Sequence, residues 1–174
     1  MNKTITEATI KLVQVDTIVP YSEVIARLDE EVNKTGSQNI IGSLMKTQTQ
    51  GQFVAAVENT IKSDFLYFNE IPHHKLLRFD GATRPAIVVY YIGNPVIAQV
   101  ILKHNPLAAY NIPPRLMIIE KPNGAGASLH YNLFSSVMGL RSGENPPELQ
   151  EELDILDRKM DKLVTTITTP KFAA

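Results

Sequence analysis

Apolar residues recur along this chain at two different periods, and the switches between them divide it into elements. Thr9 to Ile18, TIKLVQVDTI, is rich in β-branched side chains and predicts a first strand. Pro20 follows, with Ser22 as a candidate cap. Val24, Leu28 and Val32 then step by four up to Gly36, which predicts a helix with one buried stripe. Phe53, Val57 and Ile61 repeat that step and predict a helix over Gln52 to Lys62. DFLYFNEI, from Asp64, is aromatic and strand-like. HHKLLRFDGATR, from His73, reads as a strand ending in an Asp80-Gly81 turn. PAIVVYYIG, from Pro85, is apolar on both parities, the pattern of a strand covered on both faces.

Prolines interrupt the most apolar part of the chain, and their neighbours explain why. Asn94 can cap a helix whose first position is Pro95, where no amide hydrogen is needed. Asn105-Pro106 opens a short second turn in the same way. Pro113 and Pro114 then forbid helix and push the chain extended, into a strand over RLMIIEK. Asn123-Gly124 is a hairpin signal leading into SLHYNLF. There Leu129, Tyr131 and Leu133 alternate with Ser128, His130 and Asn132. A third pair, Asn145-Pro146, is expected to open the last helix. In it Leu149, Leu153, Leu156, Met160, Leu163 and Ile167 fall at spacings of four, three, four, three and four. The seam covers under three heptads, so packing on a sheet is favoured over a coiled coil. Pro170 closes the helix, and KFAA reads as a loose tail.

Strands do not alternate regularly with helices. The fold class is therefore α+β, with a mostly antiparallel sheet packed against the long C-terminal helix and the N-terminal helix. The 174 residues fit one domain, 1–174, with its core over 8–168. Apolar residues make up 44% and charged residues 20%, enough for a core and against disorder. A net charge of −1 argues against nucleic acid as a partner. The absence of cysteine removes disulfides, thiolate metal sites and a Cys nucleophile. No leader pattern and no run long enough for a membrane span is visible, so a soluble, cytoplasmic protein is expected.

From Tyr90 onward the chain resembles the domain of unknown function 302 (DUF302) family. The match lies in GNPVIAQ (Gly93, Asn94, Pro95, Ala98), in Pro106, and in IPPRLMIIE (Ile112, Pro113, Arg115, Glu120). Pro114 stands where that family often has Cys, and 39–82 is longer than its usual linker, which marks an atypical insertion. The resemblance implies a curved sheet gripping helices, similar to TATA-binding-protein-like and helix-grip folds. It also implies frequent homodimers and no established chemistry.

The residues offer several chemistries, each beside a plainer role. His73 and His74 on a strand would point to opposite faces, and no HExxH or spaced ligand set supports a metal. His130 lies on the polar parity of its strand and has a reference pKa of about 6.5, which suits general acid–base work as well as a solvated surface. Arg115, fixed by the diproline before it, can clamp a carboxylate or tie down the loop it follows. Asp80 and Arg84 can orient a substrate or form a surface ion pair. Tyr67, Tyr90 and Tyr91 are aromatic lining for a ligand, with Asn94 beside them, or simply core. No cofactor motif occurs: Gly124-Ala-Gly126 joins two strands, and no G-x-S-x-G is present.

Three functions follow in order. The first is a homodimeric module holding a small apolar or amphipathic ligand between sheet and C-terminal helix. Its sheet would otherwise leave a greasy face exposed. The second is a cofactor-free isomerase, lyase or hydrolase using His130 with Arg115 or Asp80. The third is a purely structural protein.

Overall fold

The computed structural model describes residues 1–141 and 143–170, with Asp80 through its backbone alone. The KFAA tail lies outside the described residues. Five strands form one antiparallel, curved sheet in the order β1-β5-β4-β3-β2. They are β1 (Leu12–Thr17), β2 (Leu66–Ile71), β3 (Ile87–Gly93), β4 (Arg115–Glu120) and β5 (Ala127–Asn132). The helices of eight or more residues are α1 (Tyr21–Glu31), α3 (Gln50–Glu58), α4 (Pro95–His104) and α6 (Pro147–Thr168). The five-residue helices α2 (Ile40–Leu44) and α5 (Phe134–Met138) connect them. The architecture is α+β.

Alternation decides what each strand buries. Val88, Tyr90 and Ile92 of β3, Leu116 and Ile118 of β4, and Leu129 and Tyr131 of β5 point to one face. There they meet Val24 and Leu28 of α1, Ile101 of α4, and the whole seam of α6 from Leu149 to Ile167. The seam is buried against the sheet, so α6 is a packing helix. Polar ties fix its pose: Thr17 Oγ1 donates to Thr168 O at 2.7 Å, the Tyr131 hydroxyl donates to Asp161, and Asp157 accepts from Phe134 N and Ser135 Oγ, both at 2.6 Å.

Among the described residues no helix crosses the middle of the opposite face. Ile87, Val89, Tyr91, Met117 and Ile119 lie there half-buried, beside Ser128, His130 and Asn132. The strand over PAIVVYYIG thus buries one parity fully and the other only in part, although both are apolar.

Four local readings change. His73–Asp80 is a run of 3-10 helix, not a strand, closed by Gly81 at φ 71°. Pro72 ends the edge strand, and Leu76, Leu77 and Phe79 stay exposed. The helix after β1 begins at Tyr21, with Pro20 in the cap position and Ser22 inside it. The helix carrying Phe53 and Val57 starts two residues early, because the Thr49 side chain accepts from Gln52 N. Finally, Pro146, not Asn145, precedes α6. Asn145 instead accepts from Leu140 N at 2.7 Å and donates to Gln150, closing the loop before the helix.

Candidate functional site

The GNP stretch is where three segments converge. β3 ends at Gly93, and a Cβ there would lie 3.0 Å from the Phe68 ring and 3.5 Å from Pro114 Cδ. A side chain there would press on the Phe68 ring, which would have to give by a few tenths of an ångström, so glycine suits the approach of these walls. Asn94 then caps α4: its Oδ1 accepts from Val96 N and Ile97 N, and its Nδ2 donates to Asp64 O at 3.3 Å. Pro95 occupies the first turn. On the far side, the Ile112–Pro113 bond is cis, and Pro114 delivers the chain into β4. Helices α2 and α3 close the third side through a small apolar cluster of their own, built on Ile40, Leu44, Val57 and Leu66.

These surfaces form a half-open cavity of about 440 Å³ at the end of the sheet. It runs from Ile41 and Met45 of the α2 segment, past Pro95 and Ala98 of α4, to Ile101, Met138 and Leu156 in the main core. The size falls within the roughly 300–1,000 Å³ of small-molecule sites. Among the described residues the lining is apolar except for Asn94 and Gln99, and no charged residue contributes to it.

The residues singled out from sequence are distributed over four places. Asn94 lines the cavity. Tyr67 and Tyr90 meet edge to face at 6.0 Å beneath α1, away from the cavity. They belong to a charged cluster around Lys34, whose Nζ lies 2.8 Å from Glu70 Oε2, 3.2 Å from Asp29 Oδ2 and above both rings. The Tyr90 hydroxyl donates to Asp29 Oδ1 at 2.6 Å. Burial, then the hydrogen bonds with Asp29 and Glu70, raises the Tyr90 pKa far above the ordinary tyrosine value, so it stays a donor. Burial likewise raises Tyr67.

Tyr91, Arg115 and His130 stand on the uncovered sheet face. Tyr91 pairs with Arg115 across β3 and β4, and His130 pairs with Met117. Arg115 edges a shallow cleft of about 20 Å³ with Asn111 and Asn132, room for about one water. His130 Nε2 lies 3.0 Å from Ser128 Oγ. Asp16 on the neighbouring strand sits 3.1 Å from Lys121, and its carboxyl is held below the usual range by hydrogen bonds from Lys121, Gln14 and Ser128. Arg84 is exposed in the connection between the 3-10 run and β3. The Asp80 side chain lies outside the described residues. Strand β4 separates His130 from β3, on which the 3-10 segment carrying Asp80 rests. His74 packs Nδ1 against the backbone of Ile87, 3.1 Å from its N and 2.9 Å from its O. Among the described residues no group of three or more His, Asp or Glu is placed to hold a metal. None of their helices is long and apolar enough to cross a membrane.

Comparison with known proteins matches the GNP and IPPR segments to one family. A model of "Domain of unknown function DUF302" fits residues 45–167. The chain belongs to the DUF302 family. In this DUF302 protein the match takes in α3, β2 to β5, the cavity's proline walls and nearly all of α6. The crystal structure of an uncharacterized conserved DUF302 protein from Bacillus stearothermophilus superposes with a TM-score of 0.59 at 16% identity. The match covers 90% of this chain and 97% of that one, and it supports the fold. No curated protein matches.

Sequence reasoning expected a ligand between the sheet and the C-terminal helix, lined by tyrosines; the cavity lies instead at the end of the sheet, and Leu156 is the one α6 residue among the described residues that line it. Its walls come from Phe53, Phe68, Ala98, Pro113 and Leu156, which lie far apart in the chain. The one signal available was the density of prolines around Asn94 and Ile112. It was legible as punctuation, but not as two rigid walls facing each other.

Proposed function

We propose that this DUF302 protein is a homodimeric module that binds one small apolar or amphipathic molecule per chain. The observation that carries the reading is the 440 Å³ apolar cavity. Apolar walls left facing water in a half-open cavity of that size forgo the contacts that close packing would give. The same space would reward an apolar guest by removing its surface from water. Rigid prolines on two sides keep the space from collapsing, whereas Met45 and Met138 supply adaptable walls.

The homodimer half of the proposal draws on the uncovered sheet face. Val89, Met117, Ile87 and Ile119 form a contiguous apolar patch in register across β3 and β4. A second copy laid on it would bury that patch on both partners at once, as a two-fold interface does.

Native mass spectrometry of the protein purified from its own source tests both halves. The proposal expects a mass of twice the chain, with one small adduct per chain released on activation. A bare monomer would contradict it.

One contact favours a second reading, a cofactor-free enzyme. His130 Nε2 beside Ser128 Oγ is a potential proton relay. On that reading His130→Ala abolishes turnover, whereas on the binding reading the variant leaves ligand affinity unchanged.

A further inference from the structure

We infer that the molecule taken by the cavity is a neutral amphiphile, with its apolar body between α4 and the Ile112–Pro114 wall and an uncharged hydroxyl or primary amide end at Gln99 and Gln50. The inference rests on the binding reading above and deepens it.

The lining sets the charge. With only Asn94 and Gln99 polar among its described residues, a carboxylate drawn inside would lose its hydration with no cation to replace it. An ammonium would find no carboxylate there. Asn94 is largely committed: its oxygen takes two amide hydrogens of α4 and one hydrogen of its nitrogen goes to Asp64 O.

Gln99 is committed only in part. Gln50, at the first position of α3, donates from Nε2 to Gln99 Oε1 at 2.8 Å. Among the described residues no further partner holds the Gln99 Nε2 hydrogens or the Gln50 Oε1. The pair, joined by an exposed hydrogen bond where α3 meets α4 at the rim of the cavity, therefore presents the amide hydrogens of Gln99 and the carbonyl oxygen of Gln50 to a ligand end. Exchanging oxygen and nitrogen in both amides leaves the same complement. A hydroxyl can accept from the first and donate to the second, and a primary amide can do the same. A carboxylate can only accept, and a quaternary ammonium can do neither.

Calorimetric titration with 1-decanol, decanoate and decyltrimethylammonium tests this in wild type, Gln99→Leu and Gln99→Lys. Far-UV circular dichroism and thermal melting establish that both variants fold. The inference expects 1-decanol to bind wild type at least tenfold more tightly than either ion. Gln99→Leu weakens 1-decanol several-fold. Gln99→Lys shifts the preference toward decanoate, because it places a cation where the neutral end sat. Equal binding of all three by wild type, or an unchanged order in Gln99→Lys, overturns the inference while leaving the binding reading intact. Binding of none overturns the binding reading itself.

Discussion

Lys34 shows what single side chains do in this molecule. It sits just past the end of α1 and joins Asp29, Glu70 and Tyr90, so it ties the helix to strands β2 and β3. Burial lowers its pKa, but the hydrogen bonds and charges of Glu70 and Asp29 outweigh that and raise it on balance. Removing the Tyr90 hydroxyl strips Asp29 of a 2.6 Å bond in a half-buried site. Tyr90→Phe is expected to cost about 1–3 kcal/mol of unfolding free energy, read by urea denaturation. Asp64 gives the pH counterpart. Burial raises its pKa, yet the hydrogen bonds from Lys159 and Lys162 prevail and hold it below the ordinary range. A carboxyl depressed in the folded state stabilises above its unfolded pKa of about 3.9, and that contribution is lost as pH falls through the folded value. Asp64→Asn should therefore be less stable than wild type at neutral pH. The gap should close on acidification below about pH 4, in melting curves recorded across that range. The Asn94 and Asn105 caps were legible at this scale, since Asn-Pro names both the cap and the first helical position. Asn145-Pro146 carries the same letters without the role. The loop from Leu140 claims the Asn145 oxygen, and no local pattern announces that.

At the scale of elements, legibility follows length. Helix α6 has six turns, so its seam at four-three spacing could be read directly, and each of its leucines is buried. Leu153 is fully buried, and Leu153→Ala is expected to cost about 2–5 kcal/mol in chemical denaturation. Helices α2 and α5 have five residues each, too few for any period to show. The 3-10 run after β2 misleads for a different reason. Leu76, Leu77 and Phe79 look like buried strand positions, but Phe79 is 82% exposed. Apolar letters record what a side chain would gain by burial, and not whether the rest of the chain can reach it. The α2–α3 pair is held by a cluster separate from the main core. This makes it the segment whose amides should gain most protection from hydrogen exchange when a ligand fills the adjoining cavity.

For the whole molecule, sequence conveyed the class of fold and missed the place where it is hollow. The mixed fold class, the buried seam and the apolar β3 follow from alternation and period, which are local properties, whereas the strand order β1-β5-β4-β3-β2 does not. The cavity depends on how α4, the diproline entry to β4 and the α2–α3 pair sit around one point, which is not local. The uncovered sheet face belongs to this scale too. Met117→Asp would place a charge at the centre of the patch without touching the inner core. Sedimentation equilibrium should then shift from dimer to monomer, and a monomeric wild type would remove the homodimer from the account. The account centres on occupancy of the cavity beside Ala98. Its most direct test is calorimetric titration of 1-decanol into wild type and Ala98→Phe, whose ring would fill that space. The expected result is saturable binding to wild type at one site per chain, weakened at least tenfold in a variant that melts no lower. Equal binding by both proteins would contradict it.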